Sequence, residues 1–383
     1  TYYPLKGMSN NELAALASSQ HLCQGFGRLS TRGTQQEYIE FLKGKPVDDN
    51  DNIFSGIDTS WNRVKGGKAV GAILNAIENN FNFQNPSTHV SQLVEAYKLL
   101  QRVEDQHWKT QKSEELKPII EMCAGLYLEA SAETNWATQN EIINLNIEVL
   151  NRSNLPIVLE SLNNASELNI SKGITLENNT KYDFKEKIKV PSNAQPTTPY
   201  WLNEKGTMGM YKVDDNKLIG KPETPRTFNI DFNVLIDNTP ITFTKPIIQR
   251  FAKPDKGELY RPFEIIPEAS AKITEKVIIL DNNQQRDITV IVKAGRNNLE
   301  GNVEVYHPNN WSVLPKKQKV SIAHKGEEQT LVFTVIPPKE QSEGFIEPIV
   351  HVGDKSYTKE LIGIDYEHIP FQTILLPSES KIV

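Results

Sequence analysis

The chain has 383 residues, enough for two or three domains of about 150 residues each. Hydrophobic residues make up 38% and charged residues 23%, which is typical of a folded protein and excludes a disordered one. The formal net charge is −6. This argues against nucleic acid as a partner, because phosphate binding needs a concentrated basic face. No stretch approaches the roughly 18 apolar residues of a membrane span.

The first residue and the two cysteines bear on processing. The chain begins at Thr1, so we expect a processed or excised chain whose signal peptide, if it had one, lay upstream. Cys23 and Cys123 lie on apolar faces of predicted helices, which is typical of buried free thiols. A disulfide that joins them is the alternative, but two cysteines form no disulfide framework.

Apolar residues recur at helical spacing in the N-terminal third. Ser9 and Glu12 have the spacing of a capping box, which predicts a helix that runs to Leu22. The further predicted helices are 34–42, 69–80, one capped by Ser87 with an apolar stripe from Val90 to Leu100, and one that starts near Ser113 with Pro118 in its first turn. Short connections between them predict a helical bundle over residues 1–137.

The segment 141–158 divides the chain into a helical and a β part. Apolar residues alternate with polar ones from Ile143 to Val149, which is the period of a strand with one buried face. Four turn-forming residues, 151–154, follow, and 155–159 has the pattern of a returning strand. We therefore predict a β-hairpin at this point.

Period-two patterns continue to the C-terminal end. Strands at 228–236 and 241–243 flank an Asp237-Asn238 turn, and seven or so short strands follow residue 268. The predicted fold is therefore a multidomain α plus all-β protein, with an N-terminal helical bundle followed by two immunoglobulin-like β-sandwiches. The predicted sections are 1–137 (helical), 138–267 (first sandwich, with insertions), 268–370 (second sandwich) and 371–383 (extended tail or linker).

Motifs of catalysis are missing from the sequence. The seven histidines show no pairing of the H-x-x-H or H-x-x-x-H kind that zinc sites use, so no metal ligand is predicted. The chain has no G-x-S-x-G elbow, and Lys65-Gly66-Gly67-Lys68 lacks the spacing of a phosphate loop. We therefore predict no catalytic residue.

Aromatic residues cluster in a Pro- and Gly-rich insertion of the first sandwich. Tyr200, Trp201 and Tyr211 are candidates for contact with a glycan or with another domain, since aromatic rings on sandwich loops can stack on sugars. The alternative is that Tyr200 and Trp201 close the sandwich edge, because large aromatic side chains are usually buried.

Five segments carry a more specific pattern. They read Tyr3-Pro4-Leu5-x-Gly7-Met8-Ser9, Ser19-x-His21-x3-Gly25-Phe26-Gly27 with Arg32-Gly33, Gly56-Ile57-Asp58-Thr59-x-Trp61-x-Arg63-Val64, Pro199-Tyr200-Trp201-Leu202, and Ile364-Asp365-Tyr366-x-His368-Ile369-Pro370. Together they resemble the region that follows the catalytic domain in large bacterial proteins of the LmbE/PIG-L type, and this resemblance covers nearly the whole chain. Members of that family carry a zinc-dependent de-N-acetylase domain that acts on N-acetylglucosamine-type substrates.

The C-terminal section shows a second pattern. It consists of Asn302-Val303-Glu304-Val305, Pro308-x-x-Trp311-x-Val313, Gly326-Glu327 and Phe333-x-Val335-x-Pro337-Pro338, with Gly344 after it. This section resembles the NPCBM-associated sandwich module of bacterial glycosidases. The matching residues are mostly those that determine a fold.

The first resemblance implies an accessory role. The deacetylase metal motif, His-Pro-Asp-Asp with a distant histidine, is absent, so no catalytic residue is carried over and zinc is expected only in an upstream domain. The resemblance implies that this chain is a non-catalytic accessory region of a secreted or periplasmic bacterial protein. The parent protein would be a deacetylase and therefore a hydrolase. Its expected partners are the upstream domain and a glycan or cell-envelope polysaccharide. Tyr3, His21 and Trp61 are then the expected contacts to the upstream domain.

Two other functions stay open at this point. One is a stand-alone carbohydrate-binding or adhesion module of the cell envelope. The other is a hydrolase in its own right, which requires a site built from residues that are distant in sequence.

Overall fold

The computed structural model describes residues 1–44, 54, 56–164, 168–226, 228–281 and 284–383. They form two compact units, Thr1–Thr59 and Ser60–Val383. The protein is mostly β-sandwich-like with few helices. Within the described residues, no helix is both long and apolar enough to cross a membrane.

The first unit contains one helix and little other regular structure. Its elements are β1 (Tyr2–Tyr3), β2 (Met8–Ser9) and α1 (Asn10–Ser19). The predicted capping box is confirmed: the Glu12 amide donates to Ser9 Oγ at 3.4 Å, and the Ser9 amide donates to Glu12 Oε2 at 2.9 Å. The helix ends three residues before Leu22, and Cys23 is exposed in the turn that follows.

The predicted helix at 34–42 is wrong, because these residues have no regular secondary structure. Tyr38, Ile39 and Leu42 are 91%, 73% and 86% exposed, so no packed face stabilises so short a helix. The loop predicted at 47–67 lies partly outside the described residues, which omit 45–53 and 55.

Three helices open the second unit. They are α2 (Lys68–Asn79), α3 (Val90–Leu100) and α4 (Gln106–Ala124), with 3₁₀ turns at Trp61–Arg63 and Pro86–His89. The helix predicted at 69–80 is confirmed, whereas Ser87 lies within a 3₁₀ turn and caps no helix. Helix α4 starts earlier than predicted, because Asp105 Oδ1 accepts the Trp108 amide at 3.1 Å as its N-cap. Pro118 therefore lies inside the helix rather than in its first turn.

Two sheets follow the helices. Their strands are β3 (Leu126–Ala132), β4 (Trp136–Ala137), β5 (Ile142–Asn151), β6 (Ile157–Asn163), β7 (Asn169–Thr175), β8 (Lys181–Lys189), β9 (Asn229–Ile236), β10 (Thr239–Pro246), β11 (Ile248–Lys253), β12 (Gly257–Pro262) and β13 (Glu264–Ile265). One sheet has the order β10-β9-β6-β7 and the other β12-β11-β3-β5-β8, while β4 and β13 pair separately. Apolar residues of α2–α4 and of both sheets form one continuous core.

This shared core changes the predicted section boundary. Strand β3 begins at Leu126, inside the section 1–137 that we predicted to be helical. Helices α2–α4 pack on the sheets that follow them, so they do not form a bundle with a core of its own. Cys123 lies in this core as a buried free thiol, as predicted.

The predicted hairpin at 141–158 is wrong in its pairing, although both strands exist. Strand β5 buries Ile143, Leu145, Ile147 and Val149, as the alternation predicts. It pairs with β3 and β8, however, whereas β6 belongs to the opposite sheet. The buried Asn151 stabilises the connection between β5 and β6, because its Nδ2 donates to the Leu155 and Leu176 carbonyls, both at 3.0 Å. The turn therefore leads from one sheet to the other.

The hairpin predicted around Asp237-Asn238 is confirmed. Strands β9 and β10 pair directly, and the two turn residues have φ values of 49° and 57°. Asp and Asn tolerate this left-handed conformation, which two-residue hairpins of this kind require.

A second pair of sheets makes up the C-terminal part. The strands are β14 (Ala269–Ile273), β15 (Val277–Ile278), β16 (Arg286–Ala294), β17 (Leu299–Tyr306), β18 (Ser312–Leu314), β19 (Gln318–Ile322), β20 (Glu328–Ile336), β21 (Gly344–Val352), β22 (Lys355–Tyr357), β23 (Lys359–Ile364), β24 (Gln372–Pro377) and β25 (Ser380–Ile382). The sheets β14-β16-β20-β18 and β15-β25-β21-β17-β19 enclose a second core that contains Trp311 and Phe333.

Residues 371–383, predicted to be an extended tail or linker, are part of the folded structure. Strand β25 lies between β15 and β21, and Ile382 is fully buried. Strand β24 pairs with β23, and this hairpin contacts the first β section. Asp365 Oδ2 lies 2.6 Å from Arg261 Nη2, and the Leu375 amide donates to Thr198 Oγ1 at 3.1 Å.

Candidate functional site

Polar side chains cover the outer face of the five-stranded sheet. In β3, β5 and β8, apolar residues point into the shared core, and the residues between them point outward. The outward set across the sheet is Tyr127, Glu129 and Ser131 of β3, Asn144, Asn146 and Glu148 of β5, Lys181, Asp183, Lys185 and Lys187 of β8, and Arg250 of β11. Alternation in three neighbouring strands thus builds one continuous polar surface.

Arg250 is the centre of a charged network on this face. Its Nη1 lies 3.1 Å from Glu129 Oε1, and its Nη2 lies 3.4 Å from Glu148 Oε2. The Tyr127 hydroxyl donates to Glu129 Oε2 at 2.7 Å and accepts from Arg250 Nη1 at 3.3 Å. Glu129 is only 8% exposed, and the guanidinium compensates its buried charge.

The network also shifts the ionisation of its members. Burial, together with the hydrogen bond to Glu129, raises the pKa of the Tyr127 hydroxyl, so that Tyr127 remains a donor. Burial opposes the charge on Arg250, but the neighbouring carboxylate of Glu129 raises the pKa of its guanidinium. Hydrogen bonds to Asp183 and Glu148 likewise raise the pKa of Lys181. Arg250 and Lys181 therefore stay charged, and the side chains are held in fixed positions.

A cleft of about 460 Å³ lies beside this network. Its polar lining is Ser131, Glu133, Asn144, Asn146, Lys185, Glu186, Lys187 and Arg250. Ser131 Oγ donates to the Asn146 carbonyl at 3.2 Å, and Asn144 Nδ2 donates to Glu133 Oε2 at 3.2 Å. Lys181 has two carboxylate partners, whereas Lys185 and Lys187 form no ion pair with any residue in the described ranges. The volume is in the range of ligand pockets.

Two of the predicted aromatic candidates are close together. Tyr200 is 8% exposed, and its hydroxyl donates to the Lys221 carbonyl at 3.2 Å. The Trp201 ring packs edge-on against it at 4.8 Å between centroids and is half-buried. Tyr211 is 66% exposed. Tyr200 is thus packed like a residue that closes the sandwich edge. The Tyr211 ring, by contrast, is open to solvent.

The three candidates for contact with an upstream domain differ in environment. Tyr3 is 40% exposed, and His21 is exposed with its Nδ1 2.8 Å from Gln24 Oε1. Trp61 belongs to the other compact unit and packs on the shared core. A Cβ at Gly71 would lie 2.8 Å from Trp61 Cβ, so the glycine makes room for this ring.

A chain of hydrogen bonds that we did not predict links three neighbouring strands, β17, β21 and β22, of one sheet in the second sandwich. Ser356 Oγ lies 2.9 Å from His351 Nδ1, and His351 Nε2 lies 2.9 Å from Glu304 Oε1. These are the partners of an acyl-transfer triad. The His351 and Glu304 side chains are 29% and 41% exposed on an outer sheet face, where water competes with each bond. His351 and Ser356 flank the Gly353 turn, and this spacing on a short hairpin is the signal that sequence reasoning overlooked.

Among the described residues, no group of three or more His, Cys, Asp or Glu side chains is placed to hold a metal ion.

Comparison with known proteins gives no family. No family model and no curated protein matches the chain. Among solved structures, the CARDB domain of a Pyrococcus furiosus protein in complex with di-metal ions is 20% identical over 30% of this chain and 87% of that domain, with a TM-score of 0.19. Red sea bream transglutaminase is 10% identical over 69% of this chain and 34% of its own, with a TM-score of 0.24. Native E. coli alpha-2-macroglobulin is 11% identical over 67% and 16%, with a TM-score of 0.22. At these TM-scores the similarities support no functional argument.

Proposed function

We propose that this chain is the non-catalytic accessory region of a secreted or periplasmic bacterial LmbE/PIG-L-like deacetylase of N-acetylglucosamine-type substrates. It supports the enzyme domain and presents glycan substrate to it. Its finer architecture is a helical segment followed by two immunoglobulin-like sandwiches. The apolar surface of the unit Thr1–Thr59 is the observation that carries the proposal.

That unit exposes apolar side chains which a self-sufficient domain would bury. Of its described residues, only Ala15 is buried. Leu5, Leu22 and Leu29 are 102%, 84% and 96% exposed. A cleft of about 850 Å³ also remains open between α1 and residues 31–37. Large apolar side chains that are exposed in this way can be covered by a partner protein.

The proposed occupant of this surface is the deacetylase domain. The segments Tyr3–Ser9 and Ser19–Gly27 lie in this unit and carry part of the family resemblance. Tyr3 and His21 belong to these segments and are accessible. Trp61 belongs to the second unit, and its contact with the upstream domain stays a prediction.

Binding to the deacetylase domain tests the proposal. The full chain, the variant Leu22→Asp/Leu29→Asp and the control Phe83→Asp/Met208→Asp would each be titrated with the separately produced domain. Phe83 and Met208 are 85% and 103% exposed in the other unit, so the control adds the same charge elsewhere. We expect the first variant alone to lose binding. A chain that does not bind the domain, or that uses Leu22 and Leu29 to bind a second copy of itself, overturns the proposal.

Metal content and N-acetyl-hexosamine deacetylation provide the second measurement. We expect the chain alone to be metal-free and inactive, and the chain with its upstream domain to bind zinc and deacetylate. Stoichiometric metal and turnover in the chain alone would instead show that it is a hydrolase.

The second candidate function is a carbohydrate-binding or adhesion module of the cell envelope. The cleft on the outer sheet face favours it, because amide, hydroxyl and charged side chains are held there in fixed positions. Such planar polar groups bind sugar hydroxyls through paired hydrogen bonds. A glycan array without hits would remove this candidate.

A further inference from the structure

We propose that the cleft beside Arg250 binds an acidic saccharide, whose carboxylates lie on Lys185 and Lys187 and whose hydroxyls lie on Asn144 and Asn146. This inference rests on the glycan-presenting role proposed above, and it assigns that role to the outer face of the five-stranded sheet. The aromatic residues Tyr200, Trp201 and Tyr211 are not part of this cleft.

The register of two strands creates a repeated pair of binding groups. Asn144 lies opposite Lys187, and Asn146 lies opposite Lys185, in the pairing of β5 with β8. Each pair offers one cation and one amide, and the pairs are separated by two residues, or about 7 Å along the strands. A polymer that repeats a carboxylate beside hydroxyl groups matches this arrangement.

The charged side chains of the cleft predict that its ligand is an anion. Of the two carboxylates in the cleft, Glu186 lies 3.7 Å from Lys172 Nζ, whereas Glu133 accepts from the neutral Asn144 amide and keeps its charge. Arg250 is compensated by Glu129 and Glu148. The ammonium groups of Lys185 and Lys187 have no such compensation within the described residues. The two ammonium groups outnumber the one uncompensated carboxylate, and the Asn146 amide and Asn144 Oδ1 lie beside them. Together these groups attract an anion that also carries hydroxyls.

The borders of the cleft argue against nucleic acid. The next pair along the two strands is Glu148 opposite Asp183, which places two carboxylates at one end of the cationic stretch. A phosphate backbone needs a continuous basic track, whereas Glu148 and Asp183 separate Lys181 from the lysines at 185, 187 and 189 on this face. Tyr260 of β12 lies opposite Arg250 and is 51% exposed, which provides an aromatic ring next to the cleft.

Affinity electrophoresis of the full chain in gels that contain polygalacturonate tests the inference. We expect retardation that weakens as salt is added, because the contacts are ionic. Fully methyl-esterified polygalacturonate, which lacks the charge, should retard the chain at least tenfold less. Polyphosphate and single-stranded DNA serve as the other arms, and equal retardation by either would overturn the assignment to a saccharide.

Variants locate the site. Lys185→Gln/Lys187→Gln should weaken binding at least tenfold, and Asn146→Ala should weaken it several-fold without changing the salt dependence. The control Lys317→Gln/Lys319→Gln removes two exposed lysines far along the chain from the cleft lining and should bind within twofold of wild type. All substitutions are at the surface, and unfolding curves verify that the fold is retained.

The outcomes separate this inference from the proposed function. If Lys185→Gln/Lys187→Gln binds like wild type, the cleft is not the site. If the chain binds the deacetylase domain but no acidic saccharide, the inference fails while the accessory role stands.

Discussion

Arg226 Nη1 donates to Glu264 Oε2 at 2.7 Å, and Glu264 is 1% exposed in the short strand β13. Burial raises the pKa of the Glu264 carboxyl to about 7, although the charge of Arg226 opposes this shift. Because the pKa of this carboxyl is raised in the folded state, the free energy of unfolding depends on pH near neutrality.

The first prediction is that the free energy of unfolding falls between about pH 4.5 and pH 7. In this window the folded protein keeps the Glu264 proton that the unfolded chain has lost, so rising pH favours unfolding by about 3 kcal/mol. Above pH 7 both states are ionised, and this contribution is constant. Urea unfolding of wild type and Glu264→Gln at pH 5, 6, 7 and 8 measures the difference.

Glu300→Gln, at an exposed position, is the control and should retain the wild-type slope. The explanation fails if Glu264→Gln has the same pH dependence as wild type.

The second prediction concerns the crossing between sheets at Asn151. Its fully buried side chain donates to two carbonyls and accepts from the Ser153 amide at 3.0 Å. Asn151→Ala leaves these buried groups without partners, so it should lower the free energy of unfolding by about 2–4 kcal/mol. Asn154→Ala, an exposed neighbour, should change it by less than about 0.5 kcal/mol. Equal effects of the two substitutions would mean that the turn does not depend on Asn151.

The third prediction distinguishes a structural strand from a linker at the C-terminal end. Ile382 is fully buried between β15 and β21, so Ile382→Ala should cost about 2–5 kcal/mol. Ile279 is 66% exposed in the same section, and Ile279→Ala should have little effect. Thermal unfolding of both variants is the measurement, and an unchanged melting temperature for Ile382→Ala would support the linker interpretation.

The fourth prediction concerns the hydrogen-bonded set Ser356, His351 and Glu304. We expect a fluorophosphonate probe not to label Ser356, because the exposed imidazole exchanges its partners with water and does not hold the hydroxyl for attack. Mass spectrometry of the treated protein identifies any modified serine. Labelling of wild type that disappears in His351→Gln would show that the chain is a hydrolase.

Local patterns predicted individual elements well and their pairing poorly. The alternation from Ile143 to Val149 identifies the buried face of β5, but the same alternation fits a hairpin and a crossing between sheets. One of the two partners of β5 is β8, which lies about thirty residues further along the chain, and no local signal specifies this pairing. The hairpin at Asp237-Asn238 was predicted correctly because the left-handed conformation of these two residues makes β9 pair with β10.

The candidate site shows the same division. The alternating pattern identifies the solvent-facing side of β5, which carries Asn144, Asn146 and Glu148. Lys185 and Lys187 likewise lie at alternate positions of β8. Sequence reasoning could not place the asparagines opposite the lysines, or bring Arg250 to Glu129, because these contacts depend on the order of strands in the sheet. It left Tyr200 with two possible roles, glycan contact and closure of the sandwich edge, and the burial of the ring fits the second.

The interior position of β25 has a consequence for synthesis. The ribosome adds β25 after β15 and β21, yet β25 fills the gap between these two strands. Until β25 has been made, β15 and β21 therefore each have an unpaired edge. By then, all residues of the helices and of the first pair of sheets have been synthesised. This sheet is thus completed only after β25 emerges, and until then it exposes strand edges to chaperones and to other nascent chains.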